Sequence, residues 1–347
     1  MAEPMTEAIG VLRNGTRLDE ALLGSIRAVR IEQEINVPAA FSLTIALAGM
    51  TEAAQGAALD AFAPGDEVAI FIGRQRLTRI VVGRVTAIEP RLGDLSEATI
   101  RGFDQMYRLR FGEKVRVFEN LADDAIAEDV ARGAGVAIRV EGEAPTINAY
   151  VKQQHESDYD FLRRRAEAID FELLVDGTTL VFRASGEGAA PVRALRYPRE
   201  MTRVDLDLRV PIAGDSVVVR GFDPETNEPI EARSTGATPR DRMGGTMVGF
   251  DVADQFPDSG VEMVRQDVTN VEALQAIADA RYQTALEDFI SGTISLAGDP
   301  LLIAGANVSL AGLSGRFDGI YYITAATHSY DVDTGYQADL TVRRSGI

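Results

Sequence analysis

Large apolar residues alternate with polar ones along much of this chain. In Phe41-Ser42-Leu43-Thr44-Ile45-Ala46-Leu47 every second position is large and apolar, which places Phe41, Leu43, Ile45 and Leu47 on one face of a half-buried strand. Runs rich in Val, Ile, Thr and Phe also occupy 26–35, 67–72, 80–88 and 97–103, punctuated by Gly49, Pro64-Gly65, Gly73, Pro90 and Gly93-Asp94. The pattern predicts an antiparallel barrel or sandwich over 1–113. Over 120–131 the period lengthens to that of a helix, with Asn120 as cap, Asp123 and Asp124 in the first turn, and Gly133 and Gly135 as the stop. A second helix should start at Ser157, whose hydroxyl and the Asp160 carboxylate form a capping-box-like pair. Strands are expected at 136–140, 171–175 and 178–182, the last two joined through Asp176-Gly177, a type I′ hairpin signal. Residues 114–190 therefore read as a small α+β connecting unit.

From about 191 the strand pattern resumes, clearest at 216–222. Residues 224–268 are rich in Pro, Gly, Asp and Thr with weak periodicity, as in a long excursion outside the core. A helix is predicted over 270–290, its apolar stripe carried by Val271, Leu274, Ile277, Ala278, Leu286 and Phe289. Strands follow at 292–296, 306–310, 320–327 and 337–343. Segments of this second β region lie beside segments of the first in the same order. Residues 41–49 match 291–298, and Pro64-Gly65 with Val68 and Ile70 matches Ala304-Gly305 with Val308 and Leu310. Val85-Thr86-Ala87 matches Ile323-Thr324-Ala325, and Thr99-Ile100-Arg101 matches Thr341-Val342-Arg343. The expected fold class is α+β, mainly β: two related antiparallel β-barrel domains joined by a small α+β domain.

Composition narrows the chemistry. At 347 residues, 46% hydrophobic and 25% charged, the chain can bury a large core and should fold without widespread disorder. Its 53 acidic against 35 basic residues give a net charge of -18, which disfavours nucleic-acid binding. With no Cys, disulfides, thiolate metal sites and cysteine nucleophiles are excluded. No segment has the roughly 18 apolar residues of a membrane span, and 1–10 lacks a secretion signal. The two histidines, His155 and His328, invite a triad reading with Ser157 or Ser329, but adjacent strand residues point to opposite faces. Asp331-Val-Asp333-Thr-Gly335 lacks the later Glu of a calcium loop and reads as a turn. Asp158 and Asp160 are read as first-turn residues and Arg163-Arg164-Arg165 as a solvated or salt-bridging face. No catalytic, metal or cofactor-binding residue is assigned, and no cofactor is expected.

Three stretches carry a resemblance. Gln153, Glu156, Ser157, Asp158, Phe161, Leu162 and Arg164 resemble a Gln-x-x-Glu-Ser/Thr-Asp-x-x-Phe-Leu-x-Arg run. Arg220, Gly221, Phe222, Asp223 and Pro224, followed by Ile230, are similar to a strand ending in Arg-Gly-Trp-Asp-Pro, with Phe222 in place of Trp. The stretch around Tyr322, His328 and Tyr336 resembles a Tyr-x-Val-x-x-x-x-His close of a second barrel. Together they resemble the baseplate hub proteins of contractile phage tails and injection systems, the late-control D or VgrG-type hubs. That resemblance implies a non-enzymatic homotrimer whose six similar barrels adapt a six-fold inner tube to a three-fold spike, beside other baseplate proteins. It also implies synthesis in the cytoplasm, assembly into a phage tail or injection particle, and, because the chain stops at Ile347, a separate spike protein. The competing readings are a two-barrel module that binds glycan or peptidoglycan, which would cluster exposed aromatics on one barrel face, and a hydrolase using His155 or His328.

Overall fold

A computed structural model describes residues 8–73, 76–210, 216–223, 226–235, 242–253, 260–264, 268, 270–286 and 289–347. The N-terminal region contains β1 (Ala8–Arg13), β2 (Thr16–Arg17), α1 (Glu20–Gly24), β3 (Ile26–Glu34), β4 (Val37–Ala46), α2 (Glu52–Leu59), β5 (Glu67–Gly73), β6 (Thr78–Arg91) and β7 (Glu97–Phe103). Its strands pair in the order β3-β4-β7-β6-β5-β1, all antiparallel. Phe41, Leu43, Ile45 and Leu47 all point into its core, as their alternation requires.

A 3-10 helix (Gln105–Arg110) leads into β8 (Lys114–Ala122), α3 (Asp123–Ala134), β9 (Ala137–Glu141), β10 (Ile147–Glu156), α4 (Asp158–Ala168), β11 (Phe171–Asp176) and β12 (Thr179–Ala184). Here α3 and α4 pack with the β11-β12-β9 sheet and the β8-β10 ribbon around Phe118, Ile126, Phe161, Leu162, Leu173 and Phe182. Three expectations need correction. Asn120 is not the cap of α3: it sits in β8 with φ 53, and Ala122 occupies the cap position without a side-chain bond. The β11-β12 hairpin turns on Gly177-Thr178, and only Gly177 has positive φ, so it is not a type I′ turn. The ribbon strands β8 and β10 were not expected, because both their faces carry mixed polar and apolar residues.

Next come β13 (Arg193–Arg196), β14 (Met201–Leu208), β15 (Val217–Asp223), β16 (Glu228–Ser234), α5 (Gly249–Ala253), β17 (Val261–Val264), α6 (Val271–Leu286), β18 (Ile290–Ala297), β19 (Asn307–Ala311), β20 (Gly319–Asp331) and β21 (Gly335–Arg344). The second barrel has the order β14-β18-β21-β20-β19-β13, and its last strand runs parallel to β19. The strand β15, expected in this barrel, instead joins β16 and β17 in a separate sheet that packs on α6 through Val217, Val219, Ala232, Leu274, Ala278 and Tyr282. The excursion therefore has its own small core and begins before 224. Asn270 caps α6, but Val271 is exposed and Phe289 lies past the helix in the barrel core.

The repeat is visible in the hydrogen bonds. Gly65 N–H donates to the Val85 carbonyl at 2.8 Å and Val85 N–H to Asp66 at 2.9 Å. In the second barrel Gly305 donates to Ile323 at 2.8 Å and Ile323 to Ala306 at 2.8 Å. Both glycines have positive φ, 94° and 83°, a conformation that costs Gly nothing. A bulge falls at Thr86 and again at Thr324, and a second falls at Arg27 and again at Thr202. The partners across these bulges align Ile100 with Leu340 and Arg101 with Thr341, so the expected match of Arg101 to Arg343 was two residues out of register. Likewise Phe41 aligns with Gly292, since they oppose Gly102 and Val342.

The barrels join by a seam of their own strands. Beyond its bulge β20 leaves β19, and Ala325–Asp331 pair antiparallel with Ala28–Glu34 of β3. One 13-stranded sheet thus runs through both barrels. Among the described residues no helix is long and apolar enough to cross a membrane.

Candidate assembly site

The signature around Gln153 forms a buried polar knot where β10 ends and α4 begins. Gln153 and Asp158 are almost fully buried. Asp158 accepts from Lys114 and Arg116, both on β8, and from the Gln153 amide at 3.1 Å. The Gln153 oxygen accepts from Arg116 Nε at 2.9 Å, and its nitrogen donates to the Glu156 carbonyl at 3.1 Å. Every polar atom of the pair has a partner, as burial demands. Asp158 thus ties the ribbon to the helix, a role beyond the expected dipole effect. The capping box does form: Ser157 Oγ accepts from Asp160 N–H at 3.0 Å and donates to Asp160 Oδ2 at 2.6 Å.

His155 is the extra residue of a β10 bulge, exposed and at φ 51. With the Ser157 hydroxyl engaged by Asp160 on both sides, the pair has no geometry for a nucleophile and its base. The three arginines have three different fates. Arg163 lies 3.7 Å from Glu167, and Arg164 pairs with Glu156 at 2.6 Å across the Phe161 ring. Arg165 reaches the buried Asp123 at 2.5 Å, at the start of α3. Phe161 and Leu162 are core residues.

The other signature residues lie elsewhere. On the satellite sheet, Arg220 pairs with Glu231 at 2.9 Å and Glu262 at 2.6 Å, Gly221 and Asp223 face Ile230 and Glu228 across the β15-β16 ladder, and Phe222 is exposed. Pro224 lies outside the described residues. In the second barrel the buried Tyr322 donates to Glu172 Oε2 at 2.5 Å and accepts from Arg183 at 3.2 Å. Burial first, and the Glu172 charge second, push its pKa up. Arg183 also donates to the Gly305 carbonyl at 2.7 Å, where a Cβ would meet Arg183 and Leu174 within 2.7 Å. His328 is fully buried, with Nδ1 2.8 Å from the Tyr336 hydroxyl, and burial pushes its pKa down to about 4. Ser329 faces the opposite side of the strand.

Sequence reasoning missed the residues that hold the connecting unit to both barrels. Asn36, in the β3-β4 turn with φ 63, accepts from Leu173 N–H at 2.7 Å through its side chain, and its carbonyl accepts from Tyr159 at 2.8 Å. Glu172 and Arg183 do the same for the second barrel through Tyr322. An isolated Asn at a hairpin tip was the available signal. Where the three parts meet lies a cleft of about 240 Å³ lined by Gln33, Asp104, Arg139, Leu174, Arg183 and Ile303. Asp104 accepts from Ala39 and Met106 N–H groups at 2.9 Å each, and burial pushes its pKa up to about 7. Among the described residues no group of three or more His, Asp or Glu gathers as a metal site. The clusters can fix domains against one another.

This arrangement of two related barrels with a connecting unit is the fold of phage tail proteins. A tail protein from Neisseria meningitidis MC58 superposes with a TM-score of 0.71 at 13% identity, over 97% of this chain and 96% of that one. The 43 kDa tail protein of prophage MuSo2 from Shewanella oneidensis gives 0.71 at 15% identity, over 98% of each chain. The E. coli c3393 protein, a type VI secretion component similar in structure to the T4 tail proteins gp27 and gp5, gives 0.58 at 13% identity, over 92% of this chain and 73% of that one. The Alg8 N-terminal domain model matches residues 4–331, and the chain belongs to that family. No curated protein matches it in sequence.

Proposed function

We propose that the chain is a structural hub of a phage-tail or injection-particle baseplate, a homotrimer whose six barrels form one ring between an inner tube and a spike. The observation that carries this reading is the repeat: two barrels with the same bulges and loop hydrogen bonds, fused edge to edge in one sheet. Three such chains around a closed axis present six quasi-equivalent units, which suits a six-fold partner on one face and a three-fold partner on the other. The fold shared with tail proteins supports the same reading. So do Gln153 and Asp158, which brace the connecting unit, and Tyr322, which ties it to the second barrel.

The glycan-binding alternative fares worse. It requires a cluster of exposed aromatics on a barrel face, whereas the exposed Phe111, Tyr150, Tyr197 and Phe222 lie on four different segments, and Phe111 packs on the half-buried Tyr107 and Phe103 run. Mass photometry of the purified chain, alone and mixed with a tail-tube protein and a spike protein from the same genome, tests the proposal. A mass of three 37.4 kDa chains that binds both partners is expected, and a monomer in every mixture refutes it.

A further inference from the structure

The intrachain seam has two unused counterparts. It joins the distal half of β20 to β3, and the repeat makes β6 the equivalent of β20 and β14 the equivalent of β3. The matched bulges set the register: Thr86 falls on Thr324, and Arg27 on Thr202. Yet the distal half of β6 pairs only with β7, and β14 pairs only with β18. Among the described residues both outer edges are open, a state that proteins normally avoid.

We infer that these two edges bind each other between neighbouring copies of this chain, the β6 edge of one copy pairing antiparallel with β14 of the next in the register of the internal seam. This rests on the ring proposed above and assigns its subunit contact. Transferring the β20-β3 register sets Ile88 opposite Leu208, Pro90 opposite Leu206, Arg91 opposite Asp205 and Leu92 opposite Val204.

Several observations favour that occupant. On the internal seam Val29 and Ile31 are 1% and 0% exposed, whereas their equivalents Val204 and Leu206 are only half-buried. Leu92, which would cover Val204, is 66% exposed. Apolar residues therefore meet apolar ones on the inner side of the new ladder. On the outer side Arg91, which holds Glu97 at 3.0 Å, meets Asp205, which holds Arg203 at 2.5 Å, so opposite charges face each other and join existing ion pairs. Glu89 and Asp207 also face each other, but each already has an arginine, Arg101 at 3.1 Å and Arg209 at 2.9 Å. Pro90 offers a carbonyl and no N–H, so this ladder has one bond fewer than the internal one. The contact is head to tail, using different surfaces on the two copies, so it closes into a ring when its rotation matches that of the internal seam.

The absence of cysteine makes the register directly testable. Arg91 and Asp205 are exposed, and their equivalents form a non-hydrogen-bonded pair, with Cα atoms about 4.5 Å apart, within disulfide reach. In the full chain, Arg91→Cys with Asp205→Cys should yield covalent trimer on mild oxidation. Neither single variant should cross-link alone, while a mixture of the two singles should give covalent dimer. Arg91→Cys with Asp207→Cys, a diagonal pair about 7–8 Å apart, should cross-link far less. A trimeric native mass without the Arg91-Asp205 cross-link, or equal cross-linking of the diagonal pair, overturns this contact and leaves the trimer standing. A monomeric native mass overturns the ring itself.

Discussion

The two barrels share a skeleton and differ in what fills it. In the first, the Phe41 ring lies over Gly102 and Gly83, where an added Cβ would come within 2.4 Å and 2.9 Å of it. In the second, Phe41 is replaced by Gly292 while Gly102 and Gly83 become Val342 and Tyr321. Bulk has moved from one strand to its neighbours, and Val342 with Tyr321 together exceed the Phe41 side chain they stand in for. Two other equivalent positions exchange chemistry. Buried Asp104 corresponds to buried Arg344, and exposed Pro90 corresponds to buried His328. Bulges and loop hydrogen bonds fix the curl of a barrel, because they determine where strands bend and part. Within that shared frame the residues that fill the two cores have diverged.

The largest expected effect comes from breaking the exchange of bulk. Phe41→Ala should cost roughly 3–5 kcal/mol in urea denaturation, because the facing glycines cannot refill the space. A loss below about 1 kcal/mol would show that the first barrel does not depend on that ring. A second variant asks whether both barrels lean on the connecting unit: Asp158→Asn should cost about 3 kcal/mol, since Lys114 and Arg116 lose a fully buried counter-charge. It should lower the midpoint of the whole chain, not of one part.

The pH dependence distinguishes the barrels by sign. His328 has its pKa lowered to about 4 by burial, so between about 4 and 6.5 the unfolded chain binds more protons and stability rises with pH. Asp104, raised to about 7, binds more protons when folded, so between about 3.8 and 7 stability falls as pH rises. Each effect is of order 3 kcal/mol, and in the intact protein they oppose one another. His328→Gln should therefore leave a protein that becomes less stable from pH 4 to pH 6.5, measured as urea midpoints. A slope unchanged from the parent would refute the assignment. Smallest is Tyr322→Phe, which removes the hydroxyl between Glu172 and Arg183 and should cost about 1–2 kcal/mol without changing oligomeric state.

Much of the fold was legible because alternation and turn residues act locally. Strands with one buried face, such as β3, β4, β7 and β21, were visible, as was the Ser157 cap. The ribbon strands β8 and β10 were hidden because the outer face of a two-stranded ribbon mixes Val115, Val117 and Tyr150 with charges. The assignment of β15 to a separate sheet was equally hidden, since a strand's pattern names its buried face and not the partner that buries it. At the candidate site, the Gln153 to Arg164 run was recognisable, but its chemistry lay in Lys114, Arg116 and Asp123, brought close only by the β8-β10 ladder. The same holds for Asn36, Glu172 and Arg183, whose contacts span more than a hundred residues of chain.

The central claim is that one chain supplies two interchangeable units of a single ring. A cryo-EM reconstruction of the purified chain, or of the particle that contains it, tests this most directly. The account predicts three chains with six barrels around one axis, successive barrels related by rotations of about 60°, and one continuous sheet passing from chain to chain. Barrels at different radii or heights, or a ring with any other number of chains, would contradict it.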